Sequence, residues 1–228
     1  ANDMKLAKEM IAAAVESNAD AVKFQSFRAD KIVIKSAAAY NILKENELSF
    51  DNHFLLKEYC DKLKIEFFST AFDIETLEFL IKKVKVRLLK IASGDIDFLP
   101  LLEIAKSSNL PILLSTGAAD FNTIKRTYKF LKTEKNNVIV LHCVSNYPLS
   151  AKNANLLVIP KLQKLLNCNI GFSDHSLENH ISCAAAALGA RVFEKHFTIS
   201  RKLGTIDNPM STEPAEFKLL VRQVNDII

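Results

Sequence analysis

The sequence has no tryptophan and only five glycines among its 228 residues. No Gly-x-Gly-x-x-Gly run follows an apolar segment, which argues against a dinucleotide-binding loop. No apolar run is long enough to cross a bilayer, and the first residues do not have the pattern of a secretory signal. The four cysteines lie far apart with no Cys-x-x-Cys pair, so we expect reduced, mostly buried thiols in a cytoplasmic protein.

Neither positive nor negative residues are in large excess. The net charge is only +4 and the lysines are scattered, which argues against a nucleic-acid or membrane-surface role. Hydrophobic residues make up 49% of the chain, which is enough for a sizeable core. No linker, repeat or low-complexity run divides the sequence, so we predict a single domain over residues 1–228.

Seven short apolar segments alternate with helical patterns along the chain, which begins with an amphipathic helix. The predicted strands cover residues 21–25, 66–70, 88–91, 111–115 and 138–143, a segment that ends at Ser173, and a segment that carries Glu194 and His196. The helices between them include residues 38–45, 154–166 and 177–188. Strict alternation implies parallel strands with right-handed crossovers.

Seven strands behind a leading helix predict an α/β fold of the TIM type, a (β/α)8 barrel that lacks its first strand. We expect that missing strand to precede residue 1 in the natural protein. A doubly wound open sheet is the alternative that the pattern leaves open.

Small polar residues end almost every predicted strand. These tips are Ser69-Thr70, Ser93-Gly94, Ser115-Thr116-Gly117, Ser145-Asn146 and Ser173. In an eight-fold barrel the active site lies where the strands end, and hydroxyls that converge there suit a phosphate or carboxylate. Turns favour the same residue types, so an ordinary structural role stays open for each tip.

Two lysines lie inside predicted strands, at Lys23 and Lys90. A buried ammonium without a partner is costly, so each lysine needs an anion or a route to solvent. A phosphorylated ligand would supply the anion, and an internal partner among Asp95, Asp97 and Glu194 is the alternative. Lys195 alternates with Glu194 and should face the helices.

Two histidines follow neighbouring strands at the same edge of the sheet. His175 comes after Ser173, and His196 is two residues from Glu194. Two imidazoles beside carboxylates can hold a divalent metal, although each alone can equally be a hydrogen-bonded histidine. We expect the other three histidines to be structural: His53 and His180 at the surface or in helix caps, and His142 in the core.

At the strand ends the sequence resembles the sialic acid synthase family, which includes N-acetylneuraminate, legionaminate and pseudaminate synthases. The matching motifs are Lys23-Phe-Gln, Phe68-Ser-Thr, Lys90-Ile-Ala-Ser-Gly-Asp, Ser115-Thr-Gly, His142-Cys-Val-Ser-Asn-Tyr-Pro, Ser173-Asp-His and Glu194-Lys-His-Phe-Thr. They occur in order along essentially the whole chain. The paired Ser-Asp-His and Glu-Lys-His-Phe-Thr motifs are the specific ones.

The resemblance implies a barrel enzyme that condenses phosphoenolpyruvate with an N-acylated amino sugar and releases phosphate. It implies a manganese or magnesium ion on His175 and His196, which would be catalytic together with Lys90. The residues that it assigns to phosphoenolpyruvate are Lys23, Thr70, Lys90, Ser93, Ser115, Ser145 and Ser173. Those that it assigns to the sugar are Gln25, Asp95, Tyr147, Glu194 and Asp207.

The resemblance also implies two features that this chain does not contain. Members of the family open with a strand that ends in a Glu-Ile-Gly motif, and they close with a small antifreeze-like domain that reaches across a homodimer. Two other functions therefore stay open: a non-catalytic barrel that binds a phosphorylated ligand, and a phosphoenolpyruvate-condensing synthase that acts on a phosphorylated sugar.

Overall fold

A computed structural model describes residues 3–204 and 207–228. It contains one sheet of seven parallel strands in sequential order. The strands are β1 Ala21–Ser26, β2 Glu66–Ala71, β3 Leu89–Ile91, β4 Ile112–Ser115, β5 Val138–Cys143, β6 Ile170–Asp174 and β7 Ala190–Lys195. Because the order never reverses, the doubly wound alternative is wrong and the connectivity is that of a barrel. In the described part of the chain β1 and β7 are the edges, and the predicted extra strand stays a prediction.

Ten α-helices flank the strands in the described residues, three of them between β1 and β2. They are α1 Met4–Glu16, α2 Ala29–Ile32, α3 Tyr40–Glu45, α4 Phe50–Leu63, α5 Ile74–Phe79, α6 Leu99–Ser107, α7 Phe121–Leu131, α8 Val158–Leu166, α9 His180–Ala187 and α10 Pro214–Ile227. Side-chain caps begin several of them, since Asp3, Ser49, Asp73 and Asp120 each accept a backbone N–H three residues on. None of the helices described is long and apolar enough to span a bilayer.

Helices α8 and α9 begin later than their sequence patterns predicted. A 3-10 turn at Ala151–Asn153 precedes α8, and the carbonyl of Ala154 accepts a hydrogen bond from the ring of His142. Before α9, the backbone N–H of Ser176 donates to Asp174 instead of entering a helix. Polar contacts with the sheet therefore replace the first turn of each predicted helix.

The sheet curls so that its inner face encloses a small apolar layer of its own. That layer contains Phe68, Leu113 and Leu141, with Ala21, Leu88, Ile139 and Val192 packed against them. The outer face packs against the helices through the larger core. Lys90 of β3 and Glu194 of β7 come within 3.8 Å of each other, although three strands separate them. Curling therefore brings distant strand ends to one pocket.

Gly171 of β6 shows how tightly this interior is filled. A Cβ atom at Gly171 would lie 2.4 Å from Cδ2 of Leu141 and 2.6 Å from the carbonyl oxygen of Val192. No real side chain tolerates such contacts, so only glycine fits between β5 and β7 at this level.

Candidate active site at the strand ends

A polar layer lies above the apolar layer, towards the carboxyl ends of the strands. Because side chains alternate along a strand, the residue two places after each inner apolar residue also faces inward. This period assigns seven side chains to the polar layer: Lys23, Thr70, Lys90, Ser115, Cys143, Ser173 and Glu194. Cys143 faces the pocket and is the member of this layer that the sequence analysis missed.

Lys90 is buried in the centre of this layer, with 5% of its surface exposed. Its Nζ donates to Oγ of Ser115 at 2.7 Å and lies 3.8 Å from Oε1 of Glu194. Burial lowers the pKa of Lys90, Glu194 opposes that effect and the charge of Lys23 adds to it. Among the three acids considered as internal partners, Glu194 is the one within ion-pair distance of Lys90.

Glu194 is held as a carboxylate in this layer. Burial acts to raise its pKa, but the charges of Lys23 and Lys90 and the hydrogen bond from Ser173 outweigh it and lower the pKa. The Ser173 hydroxyl donates to Oε1 at 2.9 Å, while Oε2 is buried without a hydrogen-bond partner. Two ammonium groups therefore act on the carboxylate of Glu194.

Hydroxyl groups that follow β3 and β5 surround Gly117, which follows β4. The backbone N–H of Gly117 donates to Oγ of Ser93 at 2.9 Å, and Oγ of Ser93 lies 3.1 Å from Sγ of Cys143. A Cβ atom on Gly117 would lie 2.7 Å from Oγ of Ser145. The hydroxyl of Thr70, on the other side of Lys90, is buried without a partner. The predicted polar tips thus converge.

The rings of His175 and His196 lie side by side at the end of β6 and β7, with their centres 5.6 Å apart. Nδ1 of His175 donates to the Val144 carbonyl at 2.8 Å, so its Nε2 carries a free lone pair. Burial is the main cause that lowers the pKa of both histidines. The ring of Tyr147 lies 4.1 Å from that of His175, and Nδ1 of His196 lies 3.8 Å from Asp207.

Neutral imidazoles with free lone pairs are suitable metal ligands. With ring centres 5.6 Å apart, the two imidazoles are close enough to contact one ion. Within residues 3–204 and 207–228, no cluster of three or more His, Cys, Asp or Glu side chains is arranged to hold a metal ion. The two histidines are the protein ligands that the site offers, and the metal itself stays a prediction.

Glu194 lies in the polar layer beside Lys90, whereas the other predicted sugar-binding residues lie nearer the mouth of the pocket. Gln25 is exposed at the end of β1, and Tyr147 is half exposed above His175. Asp95 lies in a 3-10 turn after β3, where burial raises its pKa and its Oδ2 has no partner. These residues are near the pocket, but no contact in the structure tests the roles assigned to them.

The expectation for His53 is wrong, while those for His142 and His180 are confirmed. His53 is fully buried beneath β1. Its Nδ1 donates to the Ser49 carbonyl, and its Nε2 accepts from Ser26, whose oxygen lies 2.6 Å from that of Ser69. His142 is buried in the core, and His180 is exposed beside Glu178. Helix α4 turns His53 towards the sheet, which local sequence does not reveal.

Comparison with known proteins decides the family of this chain, since the NeuB family model matches residues 10–228. The chain belongs to the NeuB family. N,N'-diacetyllegionaminic acid synthase from Legionella pneumophila is 39% identical over 243 residues, which cover 98% of this chain and 68% of that protein. N-acetylneuraminate-9-phosphate synthase from Drosophila melanogaster is 33% identical, over 98% of this chain and 64% of that protein.

A solved structure is similar over nearly the whole chain. The N-acetylneuraminic acid (sialic acid) synthetase from Leptospira borgpetersenii, in complex with citrate, has a TM-score of 0.95 and 40% identity. The match covers 99% of this chain and 79% of that one. This NeuB-family chain spans about two thirds of the length of the curated relatives described above.

Proposed function

We propose that this NeuB-family chain condenses phosphoenolpyruvate with an N-acylated amino sugar and water, giving a nine-carbon 2-keto acid and phosphate. The gathering of two lysines and several strand-end hydroxyls in one pocket is the observation that supports this proposal most directly. Lys23 and Lys90 both act on the carboxylate of Glu194, and the nearby hydroxyl of Thr70 is buried without a partner. A ligand that carries both a phosphate and a carboxylate would pair with these ammonium and hydroxyl groups. The names of the relatives supply the reaction class.

In this proposal Lys90 and Ser115 bind the phosphate, since Nζ of Lys90 already donates to that hydroxyl at 2.7 Å. The C=C bond of phosphoenolpyruvate opens as its methylene carbon forms a bond to the aldehyde carbon of the open-chain sugar, and the aldehyde oxygen takes the displaced π-electron pair and a proton to become a hydroxyl. Water adds to the resulting cationic carbon, and phosphate leaves as the keto group forms there. Lys90 stabilises the departing charge. Oε2 of Glu194, an acceptor without a partner, takes the proton of the attacking water.

His175 and His196 would hold a manganese or magnesium ion in this reaction. When bound, such an ion polarises the aldehyde oxygen of the sugar. The protein sets the geometry, since the Val144 carbonyl fixes the tautomer of His175 and Tyr147 covers its ring. Gln25, Asp95, Tyr147 and Asp207 would contact the sugar, and a homodimer is part of the same proposal.

A synthase that uses a phosphorylated sugar is the second candidate. One relative, at 33% identity, is named for a 9-phosphate product. Competition between phosphorylated and unphosphorylated N-acylmannosamine for the protein distinguishes the two candidates. If the protein binds the phosphorylated sugar more tightly, the second candidate, a synthase that uses a phosphorylated sugar, replaces the first.

Phosphate release from phosphoenolpyruvate, measured with and without Mn²⁺, tests the proposal. We expect His175→Ala and His196→Ala to lower the metal-dependent rate at least about 100-fold. His180→Ala is the matched control, because His180 is exposed and bound to Glu178, and it should keep the rate of the parent protein. Unchanged rates in the first two variants would contradict the metal assignment. If no sugar supports phosphate release, the condensation is contradicted, and a non-catalytic barrel that binds a phosphorylated ligand explains the pocket instead.

A further inference from the structure

A buried ion pair lies behind the pocket, between the sheet and helix α9. Nζ of Lys195 lies 3.0 Å from Oδ2 of Asp174, and the two side chains are 2% and 0% exposed. The two residues are also register partners across β6 and β7. Since side chains alternate along strands, this pair faces the helices while His175 and His196 face the pocket. Each member of the pair immediately precedes one of these histidines.

Both charged groups have further polar partners. Oδ1 of Asp174 accepts the backbone N–H of Ser176 at 2.8 Å, and its Oδ2 accepts the hydroxyl of Ser182 at 2.6 Å. Lys195 also donates to the Ser176 carbonyl at 2.6 Å. The network therefore joins the end of β6, the segment after it, helix α9 and the end of β7.

Other hydrogen bonds hold the backbone of each histidine to a different segment. The carbonyl of His175 accepts from the backbone N–H of Leu149, and that of His196 accepts from Thr212. The ion pair instead joins the two strands that carry the histidines. Burying an ion pair is a poor way to gain stability, because an apolar pair of the same size is often as stable or more stable. A role in positioning explains the pair better.

We propose that Asp174 and Lys195 are a positioning pair that sets the separation of the His175 and His196 rings, and with it the affinity for a divalent ion. The second half of this proposal rests on the proposed function. The first half does not, because the ring separation can be measured without a metal.

The double variant Asp174→Leu/Lys195→Met replaces the pair with apolar side chains of similar size. The variant leaves the Ser182 hydroxyl and the backbone groups of Ser176 without their partners, so we expect it to fold with lower stability than the parent protein. In the metal-free crystal structure, the ring separation should differ by more than about 0.5 Å from that of the parent. Mn²⁺ binding, measured by calorimetry without substrates, should weaken about 10- to 100-fold. Leu131→Ala, which lowers stability in a fully buried part of α7, should bind Mn²⁺ as the parent does.

Lys195→Arg keeps the positive charge and provides a second test if the double variant does not fold. Its planar guanidinium cannot reproduce both bonds of the ammonium group, so we expect Mn²⁺ affinity to fall several-fold. Parental ring separation and affinity in a folded variant would overturn the proposal. If the parent protein binds no Mn²⁺, the metal assignment fails, and the ring separation alone still decides whether the pair positions the histidines.

Discussion

Replacing Lys90 with methionine separates the ligand-binding role of this residue from its effect on stability. Methionine fills a similar volume and carries no charge. In the free protein the variant loses the contact with Glu194 at 3.8 Å, but it also removes a buried ammonium whose pKa is lowered by that burial. Because Lys23 and Ser173 still act on Glu194, its charge is not left uncompensated, and we expect the free energy of unfolding to fall by no more than about 2 kcal/mol.

Ligand binding should respond much more strongly to Lys90→Met. Two unit charges 4 Å apart attract by about 4 kcal/mol at an effective dielectric constant of about 20. Loss of roughly 3–4 kcal/mol corresponds to about a 100- to 1,000-fold weaker affinity for phosphoenolpyruvate, which isothermal titration calorimetry measures. Lys106→Met is the control, since Lys106 of α6 lies over the ring of Phe130 of α7, and its replacement should not affect binding. Affinity within threefold of the parent would refute the assignment of Lys90.

Two further predictions concern stability. Gly171→Ala should lower the free energy of unfolding by about 1–3 kcal/mol, whereas Gly94→Ala should have little effect, because nothing lies within 4 Å of its added Cβ; urea titration compares the two. Burial lowers the pKa of His53 and His142 in the folded protein, so both histidines bind protons more readily in the unfolded chain. Stability should therefore fall as the pH drops below about 6.5, and His53→Gln should flatten that slope by up to about 1.4 kcal/mol per pH unit. An unchanged slope would contradict the buried, neutral state of His53.

Strand periodicity made most of the fold predictable. Apolar runs that stop at serine or threonine predicted seven parallel strands with a shared rim, and the structure confirms both. The same period of two predicted that Lys195 faces the helices, where it contacts Asp174. It could also have identified Cys143, two residues after the buried Leu141, as part of the pocket.

Contacts between distant elements could not be predicted in this way. The partner of Lys90 depends on how far the sheet curls, since that curvature brings β3 opposite β7. His53 depends on the rotation of α4 against β1, and its hydrogen bonds to Ser26 and Ser49 are not visible in the spacing of apolar residues. Identification of the sugar requires contacts at the pocket mouth, where Gln25 and Tyr147 are exposed.

The most direct test of the central claim is a product assay by mass spectrometry. The protein as its gene encodes it would be incubated with phosphoenolpyruvate, Mn²⁺ and a panel of N-acyl hexosamines. The account predicts a nine-carbon 2-keto acid from at least one sugar, with one phosphate released for each product molecule. Binding of phosphoenolpyruvate and Mn²⁺ without any condensed product from the panel would contradict it.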